Sequence, residues 1–205
     1  MKNIILTFCI VSFLPNLIRA DAFELAPNYA LLFDGKSVYQ GAGIDLRLTN
    51  EGIFDWGVRF QLFVADKGWS EGPRFFDLDI IPRLKHVFSL GDTQLEIYCL
   101  IPVGVTVGGQ KYVTKDSKVY EAAGQDNVVP FSGINLGAIP GVNFRFTEHW
   151  SIFTELGFRY HWARPSELKI QNNNSLKFAG ASEIIRPDYI HLLSGVFNAG
   201  LAYRF

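Results

Sequence analysis

Alternation with a period of two runs through most of this chain, and no apolar run is long enough to cross a membrane as a helix. At 56–64, Trp56, Val58, Phe60, Leu62 and Val64 form one row. Gly57, Arg59, Gln61 and Phe63 form the other. At 95–104, Leu95, Ile97, Cys99, Ile101 and Val103 oppose Glu96, Tyr98, Leu100, Pro102 and Gly104. At 152–162, Ile152, Thr154, Leu156, Phe158, Tyr160 and Trp162 oppose Phe153, Glu155, Gly157, Arg159 and His161. Such a chain folds as half-buried strands. Strands cross a membrane only when every backbone group is paired, which requires a closed barrel.

Eight alternating segments are predicted, at 24–34, 38–49, 54–66, 74–87, 94–108, 132–147, 150–163 and 189–205. Tight turns join the second to the third (Asn50-Glu51-Gly52-Ile53), the fourth to the fifth (Ser89-Leu90-Gly91-Asp92-Thr93) and the sixth to the seventh (Glu148-His149). The alternate connections at 66–73, 108–131 and 164–188 are longer, and only the one around Asp34-Gly35-Lys36 is short. Short turns at one rim and longer loops at the other are the pattern of an outer-membrane barrel.

Composition agrees with this reading. Charged residues are 19%, aromatics 15%, and the formal net charge is −1, which gives no pull toward a polyanion such as nucleic acid. The two cysteines, Cys9 and Cys99, suggest neither a metal site nor a disulfide framework. Residues 1–20 read as a secretory signal: Lys2 supplies the positive charge, 4–14 the apolar run, and Ala20 a cleavage position. Residues 21–205 are then a single domain.

The same alternation fits a soluble lipocalin-type barrel with its apolar row inward. Four features favour the membrane. Gly41, Gly43, Gly57, Gly104, Gly137, Gly141, Gly157 and Gly200 lie on the polar row, where a narrow lumen filled by large charged side chains needs small neighbours. That row also carries near-balanced charge: Asp45, Asp77, Asp79, Glu96 and Glu155 against Arg47, Arg59, Arg83, Lys85, Arg145, Arg159 and Arg204. Aromatics of the apolar row gather near segment ends, with Trp56, Trp150, Tyr160, Trp162 and Tyr203 placed for the membrane interface. The twelve steps from Trp150 to Trp162, at ~3.3 Å each and a ~40° tilt, cover roughly 30 Å, one hydrocarbon core.

The fourth feature is the closing stretch Ala199-Gly200-Leu201-Ala202-Tyr203-Arg204-Phe205. It resembles the C-terminal signal of bacterial outer-membrane proteins, with Leu201, Tyr203 and Phe205 on one row. Gly137-Ala138-Ile139-Pro140-Gly141-Val142 and Glu155-Leu156-Gly157-Phe158-Arg159-Tyr160 are similar to the late strands of the OmpA-like and OmpW-like small barrels. The resemblance implies an all-β fold, an eight-stranded antiparallel up-and-down transmembrane β-barrel with both termini periplasmic. It also implies recognition of the last strand by the barrel assembly machinery, and contact with outer-membrane lipids and lipopolysaccharide.

Catalytic chemistry has little support. His149-Trp150-Ser151 superficially resembles the His-x-Ser of a lipid A deacylase, but the spacing to an acid differs, and the turn lies at the inner rim. His161 sits on the lumen row near the outer rim without a serine near it in sequence and is expected to join the hydrogen-bonded lumen network, while His86 lies near an inner turn and His191 faces lipid or the outer interface. No metal-binding, nucleotide-binding or nucleophile-elbow motif is present, so no cofactor is expected. Arg59, Arg83, Glu96, Arg145, Glu155 and Arg159 are expected to form a central ion-pair network that plugs the lumen. The expected role is structural or surface-interacting. A narrow pore for small solutes is the alternative, followed by a lipid-modifying enzyme. The loops at 111–129 and 167–184 are long enough to carry an extracellular ligand or partner, and Asn173-Asn174-Ser175 fits a glycosylation sequon.

Overall fold

The computed structural model describes residues 21–35, 37–65, 74–111, 128–165, 168–170, 183–185 and 190–205. The N-terminal segment 1–20, most of the longer connections and the runs at 115–118 and 172–175 lie outside the described residues.

The strands are β1 (Ala22–Phe33), β2 (Val38–Thr49), β3 (Phe54–Ala65), β4 (Arg74–Ile80), β5 (Arg83–Leu90), β6 (Thr93–Leu100), β7 (Val103–Lys111), β8 (Val128–Arg145), β9 (Trp150–Pro165), β10 (Leu168–Ile170), β11 (Glu183–Ile185) and β12 (Ile190–Arg204). β4 with β5, and β6 with β7, each make one barrel stave interrupted in the middle. The prolines account for the interruptions. Pro82 and Pro102 have no N–H to give to a ladder, and Ile81 N and Ile101 N bond instead to Gly57 O at 2.9 Å and Pro82 O at 3.0 Å. Side-chain parity survives both breaks: Asp79, Ile81 and Arg83 are all buried.

Eight staves close antiparallel, each pairing with its neighbours in the chain, and β12 returns to pair with β1. The closing register sets Glu24 against Arg204 and Tyr29 against Ala199. β10 and β11 form a separate two-stranded pair. Closure leaves no edge, so each backbone ladder is satisfied within the chain.

One rim has tight connections. Gly91-Asp92 is a two-residue turn between β5 and β6, and Gly91 takes φ 65°, the left-handed region that such hairpins require. Asn50 caps the β2–β3 turn, where its side chain donates to Phe54 O at 2.7 Å and accepts from Gly52 N at 2.8 Å. At the opposite rim Asp34 accepts from Ser37 N at 2.6 Å while Gly35 takes φ 83°.

The two rows separate cleanly. Leu156, Phe158 and Leu193 are about two-thirds exposed on the outside, with Val105, Ile134, Leu136, Ile152 and Leu201 around them. Asp45, Arg59, Asp77 and Arg159 on the inside are completely buried. A continuous apolar exterior around a charged interior is stable only with lipid outside. The soluble-carrier arrangement, with its apolar row inward, is the reverse of what is found.

Candidate functional site

The lumen is a stack of three hydrogen-bonded tiers. Among the described residues, seven carboxylates (Glu24, Asp45, Asp55, Asp77, Asp79, Glu96 and Glu155) and six basic groups (Arg47, Arg59, Arg83, Lys85, Arg145 and Arg159) are buried there.

The middle tier is built on Asp45. Arg59 grips it with two parallel bonds of 2.7 Å, from Nε to Oδ1 and from Nη2 to Oδ2. This forked geometry is the one that a guanidinium and a carboxylate fit best. Arg47 reaches the same carboxylate from two positions along β2. Glu155 faces them from β9. It accepts from Arg59 Nη2 at 3.0 Å, Tyr98 Oη at 3.0 Å and Asn198 Nδ2 at 2.8 Å. The Arg47 guanidinium also lies 4.5 Å over the Phe153 ring.

Nearer the tight-turn rim, Arg83 Nε donates to Asp55 at 3.0 Å, and Lys85 Nζ lies 3.0 Å from the same carboxylate. Arg145 bridges Glu24 at 2.8 Å and Glu96 at 3.3 Å, and Asn143 adds a 3.0 Å bond to Glu96. Arg83 approaches Glu96 at 3.5 Å, which links these groups.

Toward the opposite rim, Arg159 holds Asp77 at 2.7 Å and Asp79 at 2.6 Å. Asp77 also accepts from Thr106 Oγ1 at 2.6 Å and lies 2.9 Å from His161 Nε2. Gln61 ties this tier to the middle one, donating to Asn28 at 2.9 Å and accepting from Arg159 at 3.3 Å.

The six residues expected as one central cluster are therefore divided among tiers. Arg59 meets Glu155, and Glu96 meets Arg83 and Arg145, whereas Arg159 pairs with Asp77 and Asp79. Their burial costs several kcal/mol per ion, which only dense mutual bonding offsets. Sequence reasoning missed Glu24 and Asp55. Each falls on the inward parity of its strand, between Phe23 and Leu25 and between Phe54 and Trp56. Arg204, expected on the charged row, is half-exposed at the inner end of β12. Above the outer tier the inward row becomes apolar: Leu32, Tyr39, Phe63, Phe75, Phe131 and Ala163 are buried there, and Phe63 stacks on Phe75 at 5.1 Å.

The expected interface aromatics lie near the ends of the staves. Trp150 and Tyr203 contact edge-to-face at 4.9 Å beside the 146–149 turn, and Phe205 meets Tyr203 at 4.8 Å and Phe23 at 5.7 Å. Leu201 is exposed on the same row, and Trp56 pairs with Leu48 one turn away. At the other end Tyr160 and Trp162 are exposed, and Tyr160 Oη lies 2.6 Å from His191 Nδ1.

His149 stacks on Tyr203 at 5.6 Å and its Nδ1 lies 2.9 Å from Arg204 O, while Ser151 points into the lumen. His86 sits against Phe88. Among the described residues there is no group of three or more metal-ligating side chains.

A greasy outer wall around a closed, charge-packed interior defines the class of this molecule: a small, closed, eight-stranded β-barrel built to sit in lipid. No protein-family model matches the sequence, and no curated protein matches it. Among solved structures the fold is similar to that of Neisserial surface protein A, with 11% identity and a TM-score of 0.53 over 90% of this chain and 96% of that one. The N-terminal β-barrel domain of Pseudomonas aeruginosa OprF also matches, with 13% identity and a TM-score of 0.44 over 90% of this chain and 98% of that one. So does Ail, the attachment invasion locus protein of Yersinia pestis, with 16% identity and a TM-score of 0.42 over 90% and 97%. At 11% identity the likeness to Neisserial surface protein A is one of fold.

Proposed function

We propose that the protein is a non-enzymatic resident of the bacterial outer membrane, with a structural or surface-interaction role and a lumen closed to solutes. The observation that carries this reading is the Arg59–Glu155 pair. It spans the barrel at 2.9 Å, and its flanking bonds fill the cross-section with Asp45, Arg47, Tyr98 and Asn198. Residues 1–20 serve as the export signal, Leu201, Tyr203 and Phe205 are read by the barrel assembly machinery, and the exterior contacts membrane lipid and lipopolysaccharide. The longer connections are the natural place for an extracellular partner.

The second reading is a narrow pore. Among the described residues, buried atoms without a hydrogen-bond partner, such as Arg47 Nη1, Arg59 Nη1 and Asp79 Oδ1, follow the lumen and suit small bound waters. Conductance across a planar bilayer separates the two. The closed-lumen reading expects no steps above baseline for the native protein and the appearance of steps for Glu155→Ala. Steady conductance of the native protein overturns it in favour of the pore.

A further inference from the structure

The tight-turn rim holds a recess that the ion-paired tiers leave open. The β5–β6 and β8–β9 turns stand side by side there, because the strand register sets Gln94 against Arg145. Arg204, at the end of β12, adds a third side, and its N–H bonds to His149 O in the β8–β9 turn at 2.8 Å. Asp92, Gln94, Arg145, Thr147, Glu148 and Arg204 line a cavity of about 260 Å³. A cavity of ~150 Å³ already takes a benzene-sized molecule, so one the size of an amino acid has room here.

Four charged groups share this space, Asp92, Arg145, Glu148 and Arg204, and their pairing is uneven. Arg145 is committed inward: Nη2 donates to Glu24 at 2.8 Å and to Glu96 at 3.3 Å, and Nη1 donates to Gln94 Oε1 at 2.9 Å. Its charge is therefore matched inside the lumen. Asp92 and Glu148 are exposed on their turns, and Arg204 is half-exposed. Among the described residues, the side chains of these three make no ion pair or hydrogen bond, with one another or with any other group. Opposite charges that line one cavity without meeting across it are held apart by the frame around them. Asp92 is fixed by the tight turn in which Gly91 takes φ 65°. Glu148 is fixed by the turn that Thr147 caps, accepting from His149 N at 3.3 Å and Trp150 N at 2.9 Å.

We propose that this recess binds a small zwitterion of the α-amino acid type, with its carboxylate on Arg204 and its ammonium between Asp92 and Glu148. A guanidinium offers a fork of donors that matches a carboxylate, and two acids suit the three donors of an ammonium. A ligand with one charge fails at one end. An anion without an ammonium sets its carboxylate beside Asp92 and Glu148, and a cation without a carboxylate sets its ammonium beside Arg204. Selection thus comes from repulsion as well as attraction.

Alanine, N-acetylalanine and alaninamide make the test, because each blocked form lacks one of the two charges. The protein is refolded with 15N-labelled glycine into dodecyl maltoside micelles, whose head groups carry no charge. Each compound is titrated at neutral pH while the amide of Gly91, which also lines the recess, is observed. The expected result is a saturable Gly91 shift with alanine and affinity at least about tenfold weaker for either blocked form. Arg204→Gln should erase the preference for alanine over alaninamide, whereas Arg204→Lys, which keeps the charge, should retain it. Asp92→Asn combined with Glu148→Gln should erase the preference over N-acetylalanine. Folding of each variant is checked by heat-modifiable gel migration. No saturable shift, equal affinities for the three compounds, or preferences that survive these substitutions overturn the proposal.

Discussion

Arg59 and Glu155 form an ion pair of 2.9 Å from opposite walls of the barrel, β3 and β9, which lie four staves apart in the closed ring. Neither strand touches the other through its backbone. The pair is thus a strut across the lumen, and its loss should be felt on both sides.

Glu155→Ala leaves Arg59, Tyr98 and Asn198 with a missing acceptor in a buried site. The expected cost is about 3–5 kcal/mol, read as a lower urea midpoint for the barrel refolded in vesicles. Adding Arg59→Met removes the stranded charge, so the double variant should cost clearly less than the two single changes together. Strict additivity would mean that the strut carries no coupling.

Gly141 faces the Tyr98 ring and the Glu155 stem. A Cβ there would stand 2.7 Å from Tyr98 Cζ and 2.9 Å from Glu155 Cγ. Gly141→Ala should destabilise the barrel by about 1–3 kcal/mol through overpacking. In a Tyr98→Ala background the same change should cost much less, because the ring that it strikes is gone. An equal cost in both backgrounds would place the strain elsewhere.

Leu156 is 66% exposed, six residues from both Trp150 and Trp162 on the same outward row. Leu156→Arg should therefore cost about 2–4 kcal/mol in vesicles, as expected for a charge at the bilayer midplane, and Trp162→Arg only about 0–1. Equal penalties would contradict the depth assignment.

Among the described residues the Phe205 ring meets those of Phe23 and Tyr203, and the residue is 67% exposed. Phe205→Ala should change the folding free energy in vesicles by less than about 1 kcal/mol, while the amount of folded barrel recovered from bacterial envelopes drops. A large loss of intrinsic stability with unchanged envelope levels would argue for a structural role instead.

The sequence made the staves legible because burial here follows the pleat. Val58 and Arg59, or Leu156 and Glu155, differ by one position and go to opposite faces. Glu24 and Asp55 were readable by the same parity had it been carried to the strand ends. Other features lay beyond it. Which acid meets which base depends on closure, which brings Arg59 to a residue 96 positions away. Period two also says nothing of depth, so the shift from the Arg159 tier to the apolar layer around Phe75 left no mark in the alternation. The stave breaks at Pro82 and Pro102 were hidden because parity continues across them.

The most direct measurement of the whole account is spin-label accessibility on the outward row. Labels at Val58→Cys and Leu156→Cys, in a Cys99→Ser background and refolded in vesicles, should collide freely with oxygen and hardly with a water-soluble nickel chelate, most strongly so at Leu156. Labels open to the chelate, or shielded from both reagents, would contradict an apolar row set in lipid around an ionic lumen.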